Sequence, residues 1–437
     1  MTPTRITAVE AIDVRFPTAR RDGVSDAMNL DPDYSAAYLV LHTSAPDLAG
    51  HGLTFTIGRG NDLVVRAVEQ LAAPLVGLRI GDLVREMPRV LRSLSGDSQI
   101  RWLGPEKGVT HLATAAVLNA LWDLWAKHAR VPLWELLLSL TPEELVGALD
   151  FRHVQDVITP GDAVEMLTRA RAGFGERLAE LERDGYPAYI TSAGWIGYDD
   201  ADVRARVRSA QADGWRHFKL KVGGDPDDDL RRAHMLRGLI GDDARLMLDA
   251  NQVWEVPQAI EMMRALAACD PYWIEEPTSP DDILGHAAIA RAVAPIRVAT
   301  GEHVHNRIMF KQLFVAQAIR VCQADACRLA GVNENVLVYL MAAKHGIPVC
   351  PHAGGVGLCE MVQHLAIFDH LAISGSLDGR MAEYVDHLHE AFVDPVEMRR
   401  AAYRVPRRPG YSTEMLPEAL ERHTYPDGAA WQEAAVA

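Results

Sequence analysis

The sequence predicts an α/β protein: a (β/α)8-type, TIM-like barrel with an N-terminal α+β capping domain, completed by the C-terminal tail. Three observations carry this. The chain has 437 residues, long for one ordinary domain and enough for a barrel plus a second domain. From about Gly147 onward, short β-rich runs alternate with helical stretches, the pattern of βαβ units in a parallel sheet. These runs end in ionisable residues at a nearly constant interval.

In chain order, Ile6 to Phe16, Ala37 to His42 and Gly52 to Ile57 alternate as strands, with a polar loop, Arg20 to Asp33, after the first. Leu63 to Leu75 has the period of an amphipathic helix, and Leu112 to His128 is apolar enough to be a buried one. Strands followed by a block of helices define an α+β unit over residues 1–146. Barrel strands are expected near Leu149–Arg152, then at His217–Val222, Leu246–Asp249, Tyr272–Glu275, Ile296–Thr300, Val321–Asp325, Val349–His352 and Met381–Val385. They span residues 147–394, with room for an extra helix in Arg171–Tyr189. Residues 395–437, rich in Pro, Arg and Gly early on, are expected to pack on the capping domain.

Composition narrows the function. Apolar residues at 49% and charged residues at 24% are those of a globular protein. A formal charge of −15 repels nucleic acid and anionic membrane surfaces. No signal peptide and no membrane-spanning run is visible. Five cysteines without a CxxC pair argue against a disulfide framework or structural zinc, and a reducing cytoplasm is the expected setting.

The residues closing the strands are Lys221, Asp249, Glu275, Glu302, Asp325, His352 and Glu383, at intervals of 28, 26, 27, 23, 27 and 31 residues. One βα unit has about this length, so all seven stack at the C-terminal rim, where barrel enzymes carry their active sites. Asp249, Glu275 and Glu302 each follow a largely apolar run. Three carboxylates converging at one rim repel unless a cation joins them, and hard oxygen ligands suit Mg²⁺. In Phe218-Lys-Leu-Lys-Val222, alternation puts Lys219 and Lys221 on the face opposite Phe218, Leu220 and Val222, pointing into the barrel. Two ammonium groups beside a dication are expected to have lowered pKa values, which makes a lysine a general base. Asp325 and His352 close adjacent strands, within reach of a hydrogen bond that would orient the imidazole as an acid or base.

Lys219-x-Lys221, Asp249-x-Asn251, Glu275-Glu-Pro277, Gly301-Glu-His303, Asp325 and His352 together resemble the mandelate racemase subgroup of the enolase superfamily. Asp26-Ala-Met-Asn29, Asp31-Pro-Asp-Tyr-Ser35, Ile57-Gly-Arg-Gly-Asn61, Arg101 to Lys107, Gly331 to Asn335, Gly354 to Leu358 and Tyr384 to Leu388 resemble the L-fuconate dehydratases within it, over nearly the whole chain. The resemblance implies Mg²⁺-dependent removal of the proton α to a sugar-acid carboxylate and loss of the 3-hydroxyl. Lys221 would be the base and His352, backed by Asp325, the acid. Lys219 would stabilise the enediolate. Glu383 and Asn251 would hold the substrate, and Ser25, Asp26 and Tyr34 would close over it. Val24 stands where the family usually has glycine before Ser25-Asp26, and Arg328-Leu-Ala-Gly331 replaces a more usual Val-Gly-Gly after the arginine.

Trp195 is placed against substrate or in the domain interface. Cys322 is expected to face the helices and Cys327 to line the site. The pairs His303/His305 and His387/His389 read as loop residues. Dehydration or epimerisation of another aldonic acid uses the same groups, and a non-catalytic binding barrel would have lost at least one of them. Barrels of this kind often associate, so a homo-oligomer is expected.

Overall fold

The computed structural model describes residues 3–21 and 25–436. Three antiparallel strands, β1 (Ile6–Arg15), β2 (Ser35–Thr43) and β3 (Ala49–Thr56), form a meander. The helix Gly108–Ala129 covers this sheet and is buried along most of its length, from His111 to Ala126, as its all-round apolar sequence requires. Gly52 makes the contact possible: a Cβ there would lie 2.3 Å from the Ala120 nitrogen.

The barrel strands are β4 (Tyr186–Ile190), β5 (His217–Lys221), β6 (Arg245–Asp249), β7 (Pro271–Glu275), β8 (Arg297–Thr300), β9 (Val321–Cys322) and β10 (Ala382–Tyr384). They run in parallel in the order β10-β4-β5-β6-β7-β8-β9. Val349 takes the remaining position, bridged to Cys322, and the Glu383 N–H donates to the Pro351 carbonyl at 3.2 Å to close the ring. Outward residues such as Phe218, Leu220 and Cys322 pack on the helices. Inward residues Tyr189, Met247, Trp273, Ala299, Val321, Cys350 and Met381 fill the barrel as a separate apolar layer.

Leu149–Arg152, expected as the first strand, is instead a set of turns, and β4 takes that role. Asp150 and Arg152 are drawn into an ion-pair network. The extra helix lies at Phe174–Asp184. Of the tail, Ala402 and Tyr403 pair antiparallel with β4 of the barrel, and the stretch after them reaches the first domain. Met415 N–H donates to the Tyr38 hydroxyl at 2.9 Å, Tyr411 N–H to Asp123 at 2.7 Å, and Lys127 bridges Asp123 and Glu414 at 2.8 and 2.7 Å. Among the described residues, no helix is long and apolar enough to cross a membrane.

A buried ionic network ties the first-domain helix to the barrel. Glu334 meets His111 at 2.7 Å and Arg307 at 3.0 Å, while Arg307 reaches Glu106 at 3.3 Å and Asp150 at 3.1 Å. Removing Arg307 strands these carboxylates away from water. Arg307→Ala is therefore expected to destabilise the fold by about 3–5 kcal/mol, measured by urea unfolding. Burial alone would raise the Glu334 pKa, but His111 and Arg307 overcome it and hold the carboxyl well below its ordinary value. A depressed carboxylate stabilises the fold above its unfolded-state pKa. That contribution is expected to fade as the pH falls through the acid range, and less so in Arg307→Ala.

Candidate active site

The register of the strands sets the floor of the site. Lys221 pairs with Asp249 across β5 and β6, and Asp249 with Glu275 across β6 and β7, so their side chains stand in one inward layer. The chain then turns sharply. Asn251 and Glu276 both adopt left-handed backbone, at φ 43° and 42°, directly after these ends. Gly301 places Glu302 beside the next strand, because a Cβ there would lie 2.4 Å from the Gln323 backbone.

Asp249, Glu275 and Glu302 are buried, and each offers an oxygen lying within 4.8 Å of the others'. This is the donor set of a hard divalent cation. Burial and the neighbouring Asp249 carboxylate push the Glu275 carboxyl well above its ordinary pKa, the sign of a cluster short of positive charge. A second group sits beside it: Glu276 and His303 approach to 3.0 Å, His303 lies 3.3 Å from Glu302, and Gln252 donates to Glu276 at 3.0 Å. Burial opposes the His303 charge, but these carboxylates raise its pKa to about 10. His303, read as a loop residue, thus belongs to the acidic cluster.

The lysines lie inside, as alternation requires. Lys219 Nζ is 2.5 Å from Glu275, 2.7 Å from Glu383 and 3.2 Å from Asp249; Lys221 Nζ is 2.6 Å from Asp249. Lowered pKa values were expected for both. Burial does act in that direction, but Glu275 and Glu383 around Lys219, and Asp249 beside Lys221, outweigh it and raise both.

On the facing wall, His352 Nδ1 and Asp325 Oδ2 are 2.7 Å apart, and the other Asp325 oxygen accepts the N–H groups of Cys327 at 2.6 Å and Arg328 at 2.7 Å. The carboxylate is fixed, and it fixes the ring. His352 Nε2 faces Glu302 at 3.5 Å and Glu383 at 3.7 Å. Burial lowers its pKa, but Glu302, Glu383 and Asp325 raise it to about 9; Gly354 N–H also approaches Nε2, at 3.2 Å. Burial would raise Glu383, yet Lys219 and His352 bring it down to about 2. Its oxygens also accept from the Thr191 hydroxyl and from the Ala353 N–H, the latter at 2.9 Å.

Above this layer lies a cavity of about 240 Å³. Lys221, Asn251, Glu302, Asp325, His352 and Glu383 line it from the barrel, and Ser25, Asp26 and Tyr34 from the first domain. Lys219, Asp249 and Glu275 lie beneath. Trp195 is both a wall of the cavity and a buried side chain: its ring centroid is 5.3 Å from Lys221 Nζ, and its Nε1–H has no hydrogen-bond partner among the described residues. Asn251 Oδ1 is likewise without a partner among the described residues. Asp26 is turned into its own loop, accepting the N–H groups of Met28 at 2.9 Å and Asn29 at 2.6 Å. The Ser25 carbonyl accepts from Ile196 N–H at 3.3 Å, which ties the loop to the barrel. Val24 lies outside the described residues. Cys327 lines the cavity, as its parity implied.

Gln323, which the strand-end intervals do not pick out, donates to Glu275 at 2.6 Å. It lies two residues before Asp325 and so shares its strand parity, the one signal in the sequence that points to it. Phe55, Ile57 and Leu112, which no motif marks as site residues, also wall the cavity.

Comparison with known proteins agrees with this architecture. Residues 26–137 match the N-terminal domain family of mandelate racemase and muconate lactonizing enzyme, and residues 202–419 the enolase C-terminal domain-like family. L-galactonate dehydratase of Hypocrea jecorina is 50% identical over 99% of this chain and 97% of its own length. The crystal structure of human mitochondrial enolase superfamily member 1 is 52% identical, with a TM-score of 0.98 over 100% of this chain and 99% of its own. L-talarate/galactarate dehydratase from Salmonella typhimurium LT2, solved with Mg and L-lyxarohydroxamate, is 25% identical, with a TM-score of 0.76 over 97% of this chain and 93% of its own.

Proposed function

The chain belongs to the enolase superfamily, and from that premise we propose that it is a magnesium-dependent acid-sugar dehydratase that converts L-fuconate to 2-keto-3-deoxy-L-fuconate. The observation that carries this reading is the placement of Lys221 and His352 on facing walls of one cavity above three clustered carboxylates. Asp249, Glu275 and Glu302 would hold the magnesium ion, which supplies positive charge beside the substrate carboxylate. Lys221 would take the proton α to that carboxylate as the neutral amine, a form favoured once the cation draws Asp249 away from its ammonium. Lys219, buried beneath, faces the charge that develops on the carboxylate oxygens. His352, protonated and aligned by Asp325, delivers its proton to the departing 3-hydroxyl. Glu383 and Asn251 hold substrate hydroxyls, and Trp195 Nε1–H meets an oxygen that the protein leaves it free to bind.

L-fuconate is L-galactonate without its 6-hydroxyl. The apolar walls Phe55, Ile57 and Leu112 support a methyl terminus over a hydroxymethyl one. The name of the Hypocrea relative favours L-galactonate as the second reading. Five free, buried cysteines support a reducing compartment, here taken as the cytoplasm.

The test is a screen of the Mg²⁺-loaded protein against a panel of acid sugars, with the 2-keto product trapped by semicarbazide. L-fuconate is expected to turn over best, ahead of L-galactonate in kcat/KM by about 10- to 100-fold, the discrimination an apolar pocket achieves against an added hydroxyl. A lead for L-galactonate would overturn the substrate and keep the chemistry. No turnover with metal bound would overturn both.

A further inference from the structure

The opposite face of the barrel is also charged, with the other sign. Arg245 and Arg297 open β6 and β8, Arg320 immediately precedes β9, and Arg380 stands two residues before β10. Arginines thus gather at the N-terminal ends of the strands, as the carboxylates do at the C-terminal ends. Arg297, Arg320 and Arg380 line one open cleft of about 870 Å³ together with Arg169 and Arg177, and among the described residues Asp378 is the single carboxylate in its lining.

Some of these arginines are already matched. Arg380 meets Asp369 at 2.9 Å and Arg169 meets Glu165 at 2.6 Å, while Arg177 donates to the Leu371 carbonyl at 2.8 Å. Arg297 and Arg320 have no ion pair among the described residues. The Arg297 guanidinium stacks on Tyr272, 4.2 Å from its ring centroid, and its Nη1 is buried without a hydrogen-bond partner among the described residues. Arg245 stacks on the same ring, also at 4.2 Å, which brings a further cation close. In a chain of net charge −15, five arginines lining one concave surface, with Arg297 and Arg320 left without an ion pair among the described residues, are out of character. It focuses positive potential and presents guanidinium forks from several strands, the geometry that suits the oxygens of a phosphate.

We propose that this cleft binds a phosphate group, as the free ion or as a phosphate monoester, at the end of the barrel remote from the catalytic mouth. The proposal is independent of the reaction assigned to the mouth. It is tested by calorimetric titration of the Mg²⁺-loaded protein at fixed ionic strength, with inorganic phosphate and glycerol 3-phosphate in parallel. Saturable binding is expected, weakened at least about tenfold in R297Q/R320Q and unchanged in K221Q, a substitution at the other end of the barrel. R320Q alone removes an exposed side chain and is expected to weaken binding in the same direction without disturbing the fold. Tighter binding of glycerol 3-phosphate assigns the site to an ester, and tighter binding of phosphate to the free ion. Absence of saturable binding by either ligand overturns the proposal. So does binding that survives R297Q/R320Q and disappears in K221Q, since the ligand would then occupy the mouth.

Discussion

Lys221→Ala is expected to lower kcat on L-fuconate by about 10³-fold, within the 10²- to 10⁴-fold range that a positioned proton-transfer group contributes. Its ammonium lies at the end of β5 and on the wall of the cavity, whereas Lys219 is buried below it against Glu275, Glu383 and Asp249. Lys219 is therefore poorly placed to substitute as the base. The loss should fall on kcat with little change in KM, because the interaction with the α-proton exists only along the reaction path. Exchange of the α-proton with D₂O should stop as well. The variant should still bind Mg²⁺, since the three carboxylates remain and one competing cation has left Asp249. A variant within tenfold of the parent would remove Lys221 from the role of base.

His352→Asn is expected to separate the two halves of the reaction. Dehydration should fall by about 10³-fold through loss of the general acid. Exchange of the α-proton should continue, because Lys221 is untouched. Asp325→Asn tests the support of the ring. The His352 pKa stands at about 9, against the pull of burial, because Glu302, Glu383 and Asp325 favour the charged ring. Removing one of these charges lowers that pKa. The rate depends on the protonated form, so its alkaline limb should move to lower pH in Asp325→Asn, measured as kcat against pH. An unmoved limb would mean that another group sets it.

Much of this site was legible because a parallel barrel converts sequence spacing into position. Lys221, Asp249 and Glu275 end strands in common register, so one interval suffices to align them. Alternation placed Lys219 and Lys221 inside and Cys322 outside, and both placements hold. The first strand was misplaced for a physical reason. Tyr186–Ile190 contains Pro187 and leads into Thr191 and Ser192, so no ionisable residue marks its end, whereas Leu149-Asp-Phe-Arg152 imitates the alternation of a strand and closes on a charge. The lysine pKa values depend on distances of 2.5–3.2 Å to carboxylates, which strand spacing cannot supply. The Glu276–His303 pairing is not marked by the spacing, because each residue stands one position after a carboxylate that the interval picks out.

The most direct measurement of the central claim is NMR of L-fuconate incubated in D₂O with the Mg²⁺-loaded protein. The account predicts loss of one water and a 2-keto-3-deoxy product carrying solvent deuterium at C3, where the enol formed by dehydration takes up its new proton. L-fuconate recovered unchanged with metal bound, or epimerised at C2 without loss of water, would contradict it.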